Sequence, residues 1–377
     1  MKVLLAGGGT AGHLNPALAI AEIIRSHRPD AEFCFVGTPG SLEETLLAKT
    51  DYRFERIKVK GFQRKITAKN IRRNAQAVAY LFTAGRRARA ILSDFQPDIV
   101  IGTGGYVSGP IVRKAAQMGI KTAIHEQNAF PGVTTKLLSK HADAVMLTTE
   151  AAAKYLPAGV KYTVTGLPVR SGFVKTDRSA AKRALGFAVD EPCILSTGGS
   201  LGAGRINETV ADLMRWYQKT GAKINHIHAY GGMGRDSFVN SLTERGIDPV
   251  ANPRLDVREY IDNMALCMAA ADLVISRCGA NILTEIEAMG RGSVLIPSPI
   301  VAENHQYHNG MVLQNAGAAV VIEQKNLTGE ALIAAAKELT ADPKRLAKLG
   351  ENAAKLFIPD TNERIYTVLR ELLPKQE

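Results

Sequence analysis

Cysteine is scarce in this chain, and its spacing points to no chemistry. Four occur in 377 residues, Cys34, Cys193, Cys267 and Cys278, and no two form a C-x-x-C pair. A disulfide framework or a thiolate metal site is therefore not expected. Long apolar runs are missing too. Apolar residues make up 46% of the chain, yet no run approaches the ~20 successive residues that a bilayer-spanning helix needs. Only a handful of apolar residues precede the first glycines, too few for a signal segment, so the chain is expected to be made and kept in the cytosol.

Negative charge is nearly absent from one stretch. Between Arg53 and Arg89 stand twelve cations and one carboxylate, Glu55, so this segment carries the whole formal charge of +11 and the rest of the chain sums to zero. Apolar residues are interleaved with the cations, among them Phe62, Ile66, Leu81 and Phe82. A solvated basic face is one reading. Contact with an anionic membrane surface is another: Phe62, Leu81 and Phe82 would dip into the interface while Lys65, Arg72, Arg73, Arg86 and Arg87 each add about 1 kcal/mol against lipid phosphates. Nucleic-acid binding is the third, because a basic patch alone does not separate phosphodiester from phospholipid.

The feature that is present, and present twice, is a strand, a glycine-rich turn and an alanine-rich helix. KVLLAGGGTAGHLNPALAIAEII opens at Lys2, and CILSTGGSLGAGRINETVADLM opens at Cys193. Each reads as the start of a βα unit in a parallel sheet. Glycines there let backbone approach a ligand, and the next helix offers free N–H groups and a positive dipole end. With 377 residues, at roughly 150 per domain, the chain is expected to be α/β, two Rossmann-like parallel-sheet domains facing a central cleft. The junction is expected in GLPVRSG, giving an N-terminal domain over 1–167 and a C-terminal one over 168–358.

Gly7-x-Gly9-x-x-Gly12 alone would match a dinucleotide fingerprint. Such a site also wants a carboxylate at the end of the second strand, and FCFVG runs instead into Thr38 and Pro39. His13 starts the helix after those glycines. It is either a buried capping residue or a general base, since a helix N-terminus favours the neutral ring that accepts a proton. Gly104, Gly105, Tyr106 and Ser108 follow one predicted strand, and His125, Glu126, Gln127 and Asn128 follow the next. Ligands of open α/β sheets bind at such strand ends, although a lone glutamate there also serves as a salt-bridge partner. In DLVISRCGANILTEIEAMG, Glu285 is expected in the first turn of a helix, either answering the dipole or accepting ribose hydroxyls. His305 and Gln306 follow a proline-broken loop and could bind a sugar or be surface residues.

GGGTAGH, GTGGYVSGP, HEQN, GLPVR, GGSLGA, SRCGANILTE and the HQ pair, in this order over nearly the full chain, resemble the MurG family of N-acetylglucosaminyltransferases, GT-B enzymes of glycosyltransferase family 28. The resemblance implies inverting transfer of N-acetylglucosamine from UDP-N-acetylglucosamine to the 4-hydroxyl of undecaprenyl-pyrophosphoryl-MurNAc-pentapeptide, lipid I, giving lipid II of peptidoglycan. A related UDP-sugar enzyme, with another acceptor or an epimerase, is the alternative. By motif, Ser200 would hold phosphate, Arg170 would face the diphosphate, Glu285 the ribose, Ile261 the uracil and Gln306 the donor sugar, with the turn at Ala280 reaching the nucleotide. Thr10, Ala11, Gly12 and Asn128 would complete the donor site, Gly104 and Tyr106 would line the acceptor side, and His13 would be the base with Glu126 as rival.

The family pattern is not matched everywhere: Leu201, Cys278, Leu167 and His305 stand where glutamine, serine, asparagine and a second glutamine are frequent. No Asp-x-Asp occurs, so neither an obligatory metal nor any cofactor is expected. Implied partners are UDP-N-acetylglucosamine, lipid I, an anionic membrane surface and the cell-wall or division machinery, with no nucleic acid. The implied location is the cytoplasmic face of the cell membrane, held peripherally. The helix after Pro359, over 359–377, is expected to return to the N-terminal domain.

Overall fold

The structure is a computed structural model that describes residues 1–9, 11–48, 50–59, 83–169, 172–173 and 176–374. The chain divides into two units, Met1–Pro168 with Asp360–Glu377, and Val169–Pro359.

In the first unit, β1 (Lys2–Gly7), β2 (Glu32–Gly37), β3 (Arg53–Arg56), β4 (Ile99–Gly104), β5 (Lys121–Glu126), β6 (Ala144–Leu147) and β7 (Thr163–Val164) form a sheet in the order β3-β2-β1-β4-β5-β6-β7. All its pairings are parallel. Parallel sheets carry helices on both faces, which is why strands such as KVLLAG are apolar at successive positions rather than alternating. Val3 and Leu5 pack on one face against α1 (Ala11–His27), and Leu4 and Ala6 pack on the other against a helix described over 83–95, α3. The other helices are α2 (Leu42–Leu47), α4 (Gly105–Gln117) and α5 (Val133–Leu138).

The second unit repeats the plan. Strands β8 (Cys193–Thr197), β9 (Asn225–Ala229), β10 (Leu255–Arg258), β11 (Leu273–Ser276), β12 (Gly292–Leu295) and β13 (Ala319–Val321) form a parallel sheet in the order β10-β9-β8-β11-β12-β13. Its helices are α6 (Arg178–Ala184), α7 (Gly204–Thr220), α8 (Arg235–Glu244), α9 (Met264–Ala270), α10 (Ala280–Met289), α11 (His305–Asn315), α12 (Gly329–Ala341) and α13 (Pro343–Ala354). Their ends are marked by local chemistry. Asp177, Thr328 and Asp342 accept a first-turn N–H as N-caps, while α7 and α10 stop at left-handed Gly221 and Gly290.

The last helix, α14 (Thr361–Arg370), belongs to the first unit. Its buried Ile365 and Leu369 join Val3, Leu5, Ile20 and Ile24, and Tyr366 stacks on His27 with ring centroids 3.7 Å apart.

Candidate active site

In each sheet the two central strands send their chains off in opposite directions, and a crevice opens at the carboxyl ends where they part. That point lies between β1 and β4 in the first unit and between β8 and β11 in the second. GGGTAGH, GTGGYVSGP, GGSLGA and SRCGANILTE leave these four strands, while HEQN leaves β5 and the loop to His305 and Gln306 leaves β12.

Register brings Gly7 of β1 opposite Gly104 of β4. The fit excludes side chains: a Cβ on Gly7 would lie 2.0 Å from Thr103 Oγ1, and one on Gly105 would lie 2.2 Å from Gly8 O. Ala11 and Gly12 open α1, and His13 follows in its first turn. Its ring Nδ1 sits 3.1 Å from Thr103 O and 3.2 Å from Gln127 Oε1, while Thr103 Oγ1 donates back to His13 O at 2.7 Å. A backbone carbonyl can only accept, so Nδ1 carries a proton, and in the neutral ring the lone pair is then on Nε2. No described residue pairs with that Nε2. Gly104, at φ +107°, supplies the turn, and a Cβ there would meet His13 Nδ1 at 2.7 Å.

Sequence reading did not find Glu43. Its side chain, 1% exposed, reaches from α2 to accept from Gly9 N (3.1 Å), Thr38 N (3.3 Å) and Thr38 Oγ1 (3.2 Å). In dinucleotide sites a pyrophosphate takes the glycine-loop amides. Here a carboxylate of the chain takes the Gly9 amide, which argues against that class. The only sequence signal is the acidic start of LEETLL behind the N-cap Ser41.

Glu126 ends β5, buried, and each carboxylate oxygen accepts two bonds. Oε1 takes Asn128 N and Nδ2, both at 3.0 Å, and Oε2 takes Gly132 N at 3.1 Å and Thr135 Oγ1 at 2.5 Å. The carboxylate thus shapes the loop that carries Asn128 into α5. Tyr106, 56% exposed, stands in the first turn of α4.

In the second unit Ser200 lies at the exposed tip of the β8–α7 loop, and its carbonyl accepts from Gly232 N at 3.2 Å. Gly202 is required there, since a Cβ would fall 2.1 Å from Tyr230 O. Ala203, the N-cap of α7, offers no side-chain cap, so no such cap competes for the first-turn N–H groups.

Gln306, the second residue of α11, ties two loops together: its Oε1 accepts from Ser298 N at 2.9 Å and Cys278 N at 3.3 Å. Ile261 is 1% exposed, so its backbone rather than its side chain is what a base could meet. Glu285 departs from the expected placement. The helix begins at Ala280 directly behind the extended cap Gly279, with no acidic residue in its first turn, so Glu285 is the sixth helical residue and 2% exposed.

Thr10, Arg170, Phe62, Lys65, Arg72, Arg73, Leu81 and Phe82 lie outside the described residues. Of the basic stretch that is described, Arg53 bridges Glu55 and Asp94, Arg56 bridges Glu44, and Arg87 donates to Glu55 at 2.7 Å, while Arg86 is exposed. Part of the cationic surplus is therefore neutralised within the fold. Burial pushes the thiols of Cys34, Cys193 and Cys278 up to about 12, far from reactive thiolates. Among the described residues, no group of three or more His, Cys, Asp or Glu could hold a metal ion, and no helix is long and apolar enough to cross a membrane.

Two Rossmann-type units, each with a glycine loop at its switch point, are the architecture of the GT-B class. Residues 3–147 match the glycosyltransferase family 28 N-terminal domain and residues 193–365 the family 28 C-terminal domain. A relative from Acetivibrio thermocellus, named as the UDP-N-acetylglucosamine–N-acetylmuramyl-(pentapeptide) pyrophosphoryl-undecaprenol N-acetylglucosamine transferase, is 42% identical, the alignment covering 99% of this chain and 98% of the relative. The crystal structure of Acinetobacter baumannii MurG superposes with a TM-score of 0.74 at 26% identity, covering 98% of this chain and 99% of that one. A UDP-GlcNAc 2-epimerase from Neisseria meningitidis shares the fold alone, with a TM-score of 0.62 at 15% identity over 98% of this chain and all of that one (100%). The chain belongs to glycosyltransferase family 28, in its MurG group.

Proposed function

We propose that this protein transfers N-acetylglucosamine from UDP-N-acetylglucosamine to the 4-hydroxyl of lipid I, making lipid II, by a single inverting displacement. Full-length likeness to the transferase family supports the reaction, and the state of His13 supports the chemistry. With Nδ1–H held by Thr103 O, Nε2 is the ring atom left to take a proton. The acceptor oxygen forms a bond to C1 as the C1–O bond to UDP breaks. The hydroxyl proton passes to His13 Nε2, and the electron pair leaves with UDP. Negative charge growing on the diphosphate would be met by the α7 N-terminus beside Ser200 and by Arg170.

Glu126, the alternative base, accepts four hydrogen bonds in the structure and is better suited to placing Asn128 than to moving a proton. The 53–89 segment, with Arg86 exposed, would dock the first unit on an anionic leaflet, where a polyprenyl-linked acceptor resides. This would make the enzyme a peripheral protein of the cytoplasmic membrane face, beside the cell-wall and division machinery. Binding to anionic vesicles in sedimentation should be lost when Lys65, Arg72, Arg73, Arg86 and Arg87 are replaced by glutamine. Binding that survives contradicts the docking role. For the reaction itself, product from a short-chain lipid I analogue should carry a β-1,4 linkage by NMR. An α linkage, or free N-acetylmannosamine, contradicts it.

A further inference from the structure

We propose that Gln127, oriented by His125, is a positioning residue that acts with Thr103 O to hold His13 in its Nδ1–H tautomer. The chain of donors and acceptors starts at Gly166. His125 Nε2 lies 2.9 Å from Gly166 O, and because a carbonyl only accepts, that nitrogen carries a proton. Burial holds the His125 ring neutral by lowering its affinity for a second proton, so His125 Nδ1 presents a lone pair.

Gln127 Nε2 lies 3.2 Å from that Nδ1 and 2.8 Å from His125 O. Both are acceptors, so the amide NH2 must face them. Its oxygen is thereby turned the other way, to 3.2 Å from His13 Nδ1, where it can only accept. The alternative amide orientation would set an oxygen against two acceptors in a buried site, which leaves all three unsatisfied.

Polarity therefore runs in one direction, from Gly166 O through His125 and Gln127 to His13, whose neutral ring then carries its lone pair on Nε2. Thr103 O shares the same Nδ1–H at 3.1 Å. The two acceptors straddle the proton and hold the ring plane, and Gln127 is the one of the two that belongs to a side chain. Like the groups behind metal-bound or catalytic histidines, it acts through the imidazole and not on substrate. Its functional weight rests on His13 being the base, but the tautomer itself does not.

The test is long-range 1H–15N NMR on the full-length protein with 15N-labelled histidine, the His13 signals assigned by their loss in His13→Gln. The wild-type protein should show the proton on Nδ1. A proton on Nε2 in the wild-type protein overturns the proposal without any variant. Gln127→Leu should move the His13 shifts toward the Nε2–H form and lower kcat about five- to tenfold with little change in KM. Gln127→Glu keeps an acceptor opposite Nδ1–H and, with its second oxygen protonated toward His125, should retain the Nδ1–H pattern. Unchanged His13 shifts in a folded Gln127→Leu protein contradict the proposal. If the shifts move as stated while His13→Ala remains active, the base assignment fails and the relay stands.

Discussion

The carboxylate of Glu43 accepts the amide of Gly9 at 3.1 Å across 34 residues of sequence. An internal anion thus occupies the glycine loop that leads into His13, and the loop is set before any ligand arrives. Glu43→Ala would remove the acceptor shared by the amides of exposed Gly9 and half-buried Thr38, at a cost of about 1 kcal/mol. The urea midpoint should fall accordingly, and kcat should fall with it because the loop carries the start of α1. A variant of unchanged stability and activity would show that the bond holds nothing in place.

Gly104 combines a left-handed backbone with a ring pressed against its α-carbon. Gly104→Ala should displace the His13 imidazole and reduce kcat by about a hundredfold or more, as misplacement of a catalytic group by ~1 Å does. Circular dichroism should confirm that the sheets remain. Activity within a few-fold of wild type would mean that the ring does not need its observed position.

If Gln306 holds the donor sugar as proposed, its two roles are separated by atom. Its oxygen binds two backbone amides of the protein, and only its NH2 is left for a donor sugar. Gln306→Glu keeps both amides satisfied and should melt close to wild type while raising KM for UDP-N-acetylglucosamine about tenfold. Gln306→Leu should lose stability as well, by about 2 kcal/mol.

The second unit carries an acid-sensitive core. Ser196 Oγ lies 2.7 Å from both His226 Nε2 and His228 Nδ1, and Tyr217 OH lies 3.0 Å from His226 Nδ1. Burial pushes His228 down to about 3 and His226 well below its usual range, with the neighbouring His228 adding to the shift of His226. The folded unit therefore keeps both rings neutral at pH values where the unfolded chain, with histidines near 6.5, is protonated. Stability is fully present above about pH 6.5 and is lost as pH falls toward 3. Trp216, the single tryptophan, packs in this unit, so its fluorescence reports the transition. His228→Phe should flatten the pH dependence of the urea midpoint, and an unchanged slope would contradict the assignment.

The fold class was legible because each central strand is an apolar run closed by glycine, as in KVLLAGGG and CILSTGGS, and parallel sheets buried on both faces write themselves that way. The loops were legible for the same reason, being polar and glycine-rich directly after such strands. Helix phase is less so: the cap of this helix is Gly279, a weaker start signal than Ser, Asn or Asp, and a helix that starts there carries Glu285 past its first turn. Glu43 and the direction of the Gln127 amide were not legible at all. Both depend on contacts between segments far apart in the chain, and a glutamine's orientation is written only in its partners.

UDP release from UDP-N-acetylglucosamine, followed with and without a short-chain lipid-linked MurNAc-pentapeptide, tests the central claim most directly. Release should require the acceptor and collapse in His13→Ala. Release without acceptor, or none in its presence, would contradict the transferase.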